Sequence, residues 1–313
     1  MKVAIIGAGM AGLSCARALA QAGVAADIFD KGRGPGGRMS TRRVEVDGRE
    51  LRFDHGAQYF TARDERFRSE VTAWRAAGRV APWPSAGAEA LVGVPGMNEP
   101  VRAMAEGLDV RWATRIDRLE RVARQWVLHG GDGAHSGYTS VVIAVPAEQA
   151  GPLVAPFSAE FADRAERTTS EPCWTVMACF ALTLPLADTI TTGEGVAWAA
   201  RDGAKPGRSG SESWVLQASP QWTRDHLDRS PEQIATQLLA GFFAENAIAP
   251  AQPTYLAAHR WLYAKAQPVA GEPALWDASL GLGLAGDWLL APRIESAWIS
   301  GRELADRMIA TFE

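Results

Sequence analysis

An apolar run, Val3-Ala-Ile-Ile6, passes straight into G-x-G-x-x-G at Gly7, Gly9 and Gly12, and no other stretch limits the fold so tightly. The order predicts a strand, a tight turn and a helix over 10–22. Gly7 allows the turn, Gly9 has no Cβ to hold a pyrophosphate off the backbone, and Gly12 lets the helix pack close to the strand. Met10 and Ala11 open that helix, at the end whose free N–H groups and dipole favour negative charge. A glycine-rich turn alone is common, so its neighbours decide. A second strand pattern at 24–29 ends at Asp30, eighteen residues past Gly12 and close to the spacing of a carboxylate that takes a ribose 2′-hydroxyl. The unit is expected to bind an adenine dinucleotide rather than to serve as a purely structural βαβ turn.

A chain of 313 residues exceeds the usual single core, so two domains sharing a cleft are expected. Apolar content of 47% with 22% charged residues fits a soluble globular protein and argues against extensive disorder. The net charge of −4 supplies no basic field for nucleic acid or an anionic membrane. No apolar run approaches membrane-spanning length, and the run at 3–6 is too short for a signal peptide, so the expected location is cytoplasmic. Cys15, Cys173 and Cys179 have neither C-x-x-C nor zinc-ligand spacing; reduced core thiols and no metal site are expected.

Further along, Phe67, Val71 and Trp74 fall at helical spacing within 64–77, and 78–100 reads as loop with short strands. Asn98 is expected to cap a helix ending at Gly107. Short β runs follow at 110–113, 116–122, 126–129 and 138–145, with a glycine turn at 130–133, suggesting an antiparallel insertion whose last run rejoins the parallel sheet. Strands at 173–184, 196–200 and 213–218 form a separate sheet. Ser230, Pro231 and Gln233 open a helix that runs to about residue 246. The C-terminus returns to the opening pattern: a glycine-laced strand at 280–285, then Gly286-Asp287-Trp288, then helical spacing from Ile294. If that strand lies beside the first, the Asp287 carboxylate can accept from a ribityl hydroxyl.

The segment Lys31-Gly-Arg-Gly-Pro-Gly-Gly37-Arg38-Met39 resembles the G-G-R stretch that follows the acidic strand end in glutathione-reductase-like flavoproteins of the amine oxidase type. Asp54-His-Gly56-Ala57-Gln58-Tyr59-Phe-Thr61, Trp214-Val-Leu-Gln-Ala-Ser-Pro-Gln-Trp222, His259-Arg-Trp-Leu-Tyr-Ala264 and Ala285-Gly-Asp-Trp288 with Arg293-Ile294-Glu295 extend the likeness over nearly the whole chain. Taken together they resemble the bacterial renalases, FAD-dependent oxidases of the wider amine oxidase superfamily. The resemblance implies an α/β, two-domain flavoprotein: a Rossmann-like FAD-binding domain at 1–65, 93–150 and 272–313, and a mixed-sheet substrate domain at 66–92 and 151–271.

It also implies non-covalent FAD and oxidation of 2- or 6-dihydro isomers of NAD(P)H to NAD(P)⁺, with O₂ reduced to hydrogen peroxide. Such a substrate is already a hydride donor, so binding and ring stacking suffice. The partners expected are the dihydronicotinamide dinucleotide and O₂. To the cofactor set the resemblance adds Val122, Gly286, Asp287, Arg293, Ile294 and Glu295, beside Lys31, Gly37, Arg38, Met39 and residues 56–59. Tyr59, Trp261, Tyr263 and Lys265 are candidates for the substrate cavity, with Trp288 as a further wall, and Arg201 for an amide or phosphate. His55 and His259 are expected to be structural. An amine oxidase acting on a small amine, and a non-catalytic FAD-binding redox sensor, remain the competing readings.

Overall fold

The computed structural model describes residues 2–46, 48–191 and 193–311. A six-stranded sheet runs in the order Ala274–Asp277, Leu282–Ala285, Ser140–Ile143, Val3–Ile6, Ala26–Phe29, Asp109–Arg111, parallel except for the first. Strands 3–6, 140–143 and 282–285 are buried at every position, as sheet interiors covered on both faces require. Helices Met10–Gln21 and Ile294–Ala310 cover one face. The antiparallel sheet Ile116–Val122, Gln125–Gly130, Gly133–Tyr138 and helices Ala147–Val154 and Ala159–Glu166 cover the other.

Three expectations need correction. The C-terminal strand lies one place away from Val3–Ile6, because Ser140–Ile143, buried at every position, takes the place between them. Asp109–Arg111 leaves the antiparallel insertion and extends the parallel sheet beside Ala26–Phe29. Asn98 precedes helix Glu99–Ala105 but makes no side-chain cap; its backbone is already helical and its amide donates to the Pro35 carbonyl instead.

The second unit is an antiparallel sheet of five strands in the order Thr189–Ile190, Val196–Arg201, Glu212–Ala218, Thr169–Phe180, Pro253–Gln267. Helix Pro231–Glu245 packs on one face, opened by the capping box of Ser230 and Gln233. Leu51 and Phe53 of strand Arg49–Asp54 meet the other face at Met177, Cys179 and Val215. At this join four charged side chains lie at most 2% exposed. Lys205 Nζ stands 3.1 Å from Asp54 and 2.7 Å from Asp202, and Arg208 is 2.5 Å from Asp54. Burial alone would raise the Asp54 carboxyl, but Lys205 and Arg208 outweigh it and hold the group at about 2. The neighbouring Asp202 is pushed up, first by burial and then by the Asp54 charge.

Helices Met10–Gln21 and Ile294–Ala310 approach to backbone contact at Gly301. A Cβ placed on Gly301 would stand 2.0 Å from the Ala11 carbonyl oxygen, and Ser14 Oγ donates to the Trp298 carbonyl at 2.7 Å. Because backbone on both sides must yield, Gly301→Ala should cost about 1–3 kcal/mol by overpacking. A urea titration read by far-UV circular dichroism checks this; an unchanged midpoint contradicts the contact.

Candidate functional site

One cleft of about 1820 Å³ runs from the glycine turn to the five-stranded sheet. Ordinary small-ligand pockets measure roughly 300–1,000 Å³, so this one has room for a dinucleotide and a second molecule. Its floor is the backbone of the opening motif. Gly7 takes φ +106°, and a Cβ on Gly12 would stand 1.9 Å from the Gly7 oxygen, so both glycines serve the turn and its packing. Gly9 differs: a Cβ there would meet nothing within 4 Å, and Gly37, at φ +53°, would meet only the Gly9 Cα at 3.8 Å. Between them lies an open cradle at the N-terminus of helix Met10–Gln21, suited to a phosphate.

Side chains from distant parts of the sequence shape this floor. Asp30 accepts from Ala8 N at 2.7 Å and Gly32 N at 2.6 Å, tying its strand end to the glycine turn. Arg38 makes a two-pronged pair with Asp287, at 2.9 and 2.5 Å. Burial opposes the Arg38 charge, but Asp287 more than offsets it and the guanidinium's pKa is raised. Asp287, expected to face a ribityl chain, therefore spends both oxygens on Arg38 in this structure. The Arg38 carbonyl in turn accepts from Ala57 N at 2.9 Å, and a Cβ on Gly56 would lie 2.0 Å from it.

Met10, Ala11, Lys31, Met39, Gly56, Ala57, Tyr59, Gly286, Arg293 and Ile294 all line the cleft. Gln58 lines it as well, yet its amide turns inward, donating to the carbonyls of Asp54 and Gly56 and accepting from Lys205. Three expected residues are elsewhere. Val122 is half exposed at the end of its strand, and Ile116, at the other end of that strand, lines the cleft in its place. Glu295 points away and accepts from the backbone N–H groups of Arg63 and Asp64, fixing the start of helix Glu65–Ala76. Arg201 is locked between Asp188 and Glu212 and lies over the Trp214 ring.

The opposite wall is aromatic. Trp261 donates to the His55 carbonyl at 2.7 Å, and its ring lies 5.2 Å from the His55 ring and 4.5 Å from that of His259. Tyr59 sits 5.7 Å from Trp198, a cleft residue absent from the sequence-based set. Tyr263 and Lys265 follow on the same strand as Trp261. Trp288 lines the cleft but is almost wholly buried, donating to the Val145 carbonyl at 3.1 Å. Burial, then the nearby His259 and Arg42, hold His55 down at about 4; burial and Arg42 lower His259 too.

A Rossmann-like sheet joined to an antiparallel sheet across such a cleft is the architecture of a dinucleotide-binding protein. Comparisons with known proteins agree. Residues 5–72 match the NAD(P)-binding Rossmann-like domain, and residues 80–309 match the flavin containing amine oxidoreductases. The chain belongs to the flavin containing amine oxidoreductase family, and so to the flavin-dependent oxidoreductases. Similar solved structures include a candidate protoporphyrinogen oxidase from Exiguobacterium sp. 255-15, at 12% identity and TM-score 0.77, covering 99% of this chain and 98% of that one. Putrescine oxidase bound to putrescine is 14% identical with TM-score 0.68, covering 99% of both chains. Cyclohexylamine oxidase from Brevibacterium oxydans IH-35A is 14% identical with TM-score 0.69, covering 100% of this chain and 99% of that one. At these identities the likeness speaks for the fold.

The residues present fit a flavin dinucleotide. The cradle over Gly9 and Gly37 is open where a pyrophosphate needs backbone access, and a carboxylate stands at the second strand end. Among the described residues no His, Cys, Asp and Glu group could hold a metal, and no helix is long and apolar enough to cross a membrane. Because the space above Gly9 is empty of protein, Gly9→Val should purify colourless while keeping a urea midpoint close to that of FAD-free wild type. A yellow variant with normal flavin absorbance contradicts the cradle.

The histidines predict a pH effect. His55 and His259 bind protons less readily folded than unfolded, so the unfolded state takes up more protons as pH falls from about 6.5. Stability contributed by their neutral forms is complete above that pH and is lost toward about 4 in the case of His55. His55→Leu should flatten the fall in urea midpoint across this window. An unchanged slope contradicts a neutral, buried His55.

Proposed function

We propose that the protein is an FAD-dependent oxidase of the renalase type, oxidising 2- or 6-dihydro isomers of NAD(P)H to NAD(P)⁺ and passing the electrons to O₂. The observation that carries this reading is the charge of the cleft. In a chain of net charge −4, ten lysines and arginines line it against five carboxylates. Focused positive potential favours a phosphate-bearing substrate and disfavours an ammonium ion. The sequence segments around Gln58 and Trp261 support the same reading.

Bound non-covalently in the cradle, FAD would supply a planar two-electron acceptor that O₂ can reoxidise. Gly9, Gly37, Asp30 and the helix N-terminus would hold it, with Arg38 kept in place by Asp287. The protein's own task is positioning. Tyr59, Trp198 and Trp261 offer flat walls against which a dihydropyridine ring can lie. The substrate's C–H bond breaks, hydride leaves, and the ring becomes the nicotinamidium; the hydride's two electrons and its proton, with one further H⁺ from solvent, account for the reduction of O₂ to H₂O₂. No strong general base is needed, and the low pKa values of His55 and His259 suit a site without one.

Anaerobic mixing with 2-dihydro-NAD, 6-dihydro-NAD, ordinary NADH, putrescine and cyclohexylamine tests the proposal. Rapid loss of oxidised-flavin absorbance with a dihydro isomer alone is the expected result. Bleaching by an amine would establish the amine oxidase reading instead, and a yellow protein inert to all of them would leave a redox sensor.

A further inference from the structure

The cations of the cleft are not equivalent. Arg38 pairs with Asp287, Arg102 with Glu99 and Arg115 with Asp117. The Arg42 guanidinium has no hydrogen-bond or ion-pair partner among the described residues, although the residue is half-buried and lines the cleft. It lies on strand Thr41–Val46, directly opposite Phe53, whose ring stacks on Tyr255 at 5.3 Å. Tyr255, His259 and Trp261 alternate along strand Pro253–Gln267, so they share the face toward which Arg42 is turned. The Arg42 charge reaches both His55 and His259. A partly buried guanidinium that lines the cleft beside aromatic rings, with no carboxylate paired to it among the described residues, is free to make a charge-assisted bond to an anion.

The glycine cradle is a different place, built from backbone at Gly9 and Gly37. We propose that Arg42, with His259 beside it, forms a second phosphate subsite on the substrate wall of the cleft, and that it holds the phosphate of the nicotinamide nucleotide while the ring lies near Trp261. Arg42 can donate two parallel N–H bonds to one phosphate, and His259 can add a neutral N–H. The inference rests on the dihydronicotinamide reading for the identity of the ligand; the phosphate chemistry rests on the side chains alone. A phosphate could come from the substrate or from FAD's own diphosphate, and the experiment separates the two.

The FAD-loaded protein and its Arg42→Met variant are compared with a dihydronicotinamide mononucleotide isomer and the corresponding riboside, which lacks only the phosphate. A charge-assisted contact predicts that the wild type favours the mononucleotide by about 10- to 100-fold in kcat/KM and that the variant loses this preference. Equal use of both by the wild type, or a preference that survives in Arg42→Met, overturns the subsite. A weakened FAD dissociation constant in the variant, with the preference intact, assigns Arg42 to the cofactor and overturns the substrate assignment. Calorimetric titration of FAD-loaded protein with inorganic pyrophosphate supplies a readout independent of turnover. Binding should weaken by a similar factor in Arg42→Met and recover substantially in Arg42→Lys; equal binding by all three rejects the subsite. If neither nucleotide nor riboside bleaches the flavin but pyrophosphate binding depends on Arg42, the functional reading fails while the subsite stands.

Discussion

The fold depends on bringing the two ends of the sequence within backbone contact. Helix Met10–Gln21 can bury itself only if helix Ile294–Ala310 presents no side chain where they cross, and Gly301 meets that condition against the Ala11 carbonyl. The contact has a direct consequence for the site. It brings Asp287, which precedes the second helix, to the Arg38 that follows the second strand, 249 residues away in sequence. Arg38 thereby becomes a fixed charge and its carbonyl a fixed acceptor for Ala57. The cleft floor is thus a product of helix packing as much as of the glycine motif.

The far wall is held by different physics. Lys205, Arg208, Asp54 and Asp202 are removed from water, and such a cluster is tolerable only when each charge is compensated. Its geometry reaches the cleft through the adjacent residues: Gln58 takes a bond from Lys205, and the Gly56 carbonyl accepts from both Gln58 and Gln217 at 3.1 and 2.6 Å. The segment 54–59 is consequently anchored to the sheet that carries Trp198 and Gln217. Apolar packing could have joined these surfaces with less specificity. Paired charges fix direction as well as contact, which suits a cleft whose opposing walls must stay in register.

Much of this was legible from the sequence where the determinants are local. Gly7 and Gly12 sit within one βαβ unit, and Ser230 and Gln233 within one helical turn; spacing alone specifies the turn, the close packing and the cap that these residues form. Strand order was less accessible, because Ser140–Ile143 and Leu282–Ala285 are both buried at every position and only three-dimensional packing decides which is central. The 15-residue strand Pro253–Gln267 escaped notice because it carries polar residues at many exposed positions along a wall of the cleft, blurring the apolar alternation. Arg201, Val122 and Glu295 were misplaced for a common reason: residue type proposes a role, but the direction of the side chain belongs to tertiary structure. Arg201 found carboxylates in its own sheet, Glu295 found free N–H groups at a neighbouring helix, and Val122 ended at a solvent-facing turn.

Fold and family leave the substrate to be argued from the site, since one architecture serves many chemistries. The proposed reading rests on electrostatics rather than on shape. Aromatic walls such as Tyr59, Trp198 and Trp261 would suit a flat dihydropyridine or the hydrocarbon part of an amine equally well. Ionisation distinguishes them, because an amine arrives at neutral pH as a cation and must shed a proton in a cleft already rich in guanidinium groups. The dinucleotide proposed as substrate would instead bring a counter-charge to Arg42, which lines the cleft. On the proposed reading, potential raised in a low-dielectric cleft acts on both the approach and the residence of a phosphate-bearing substrate.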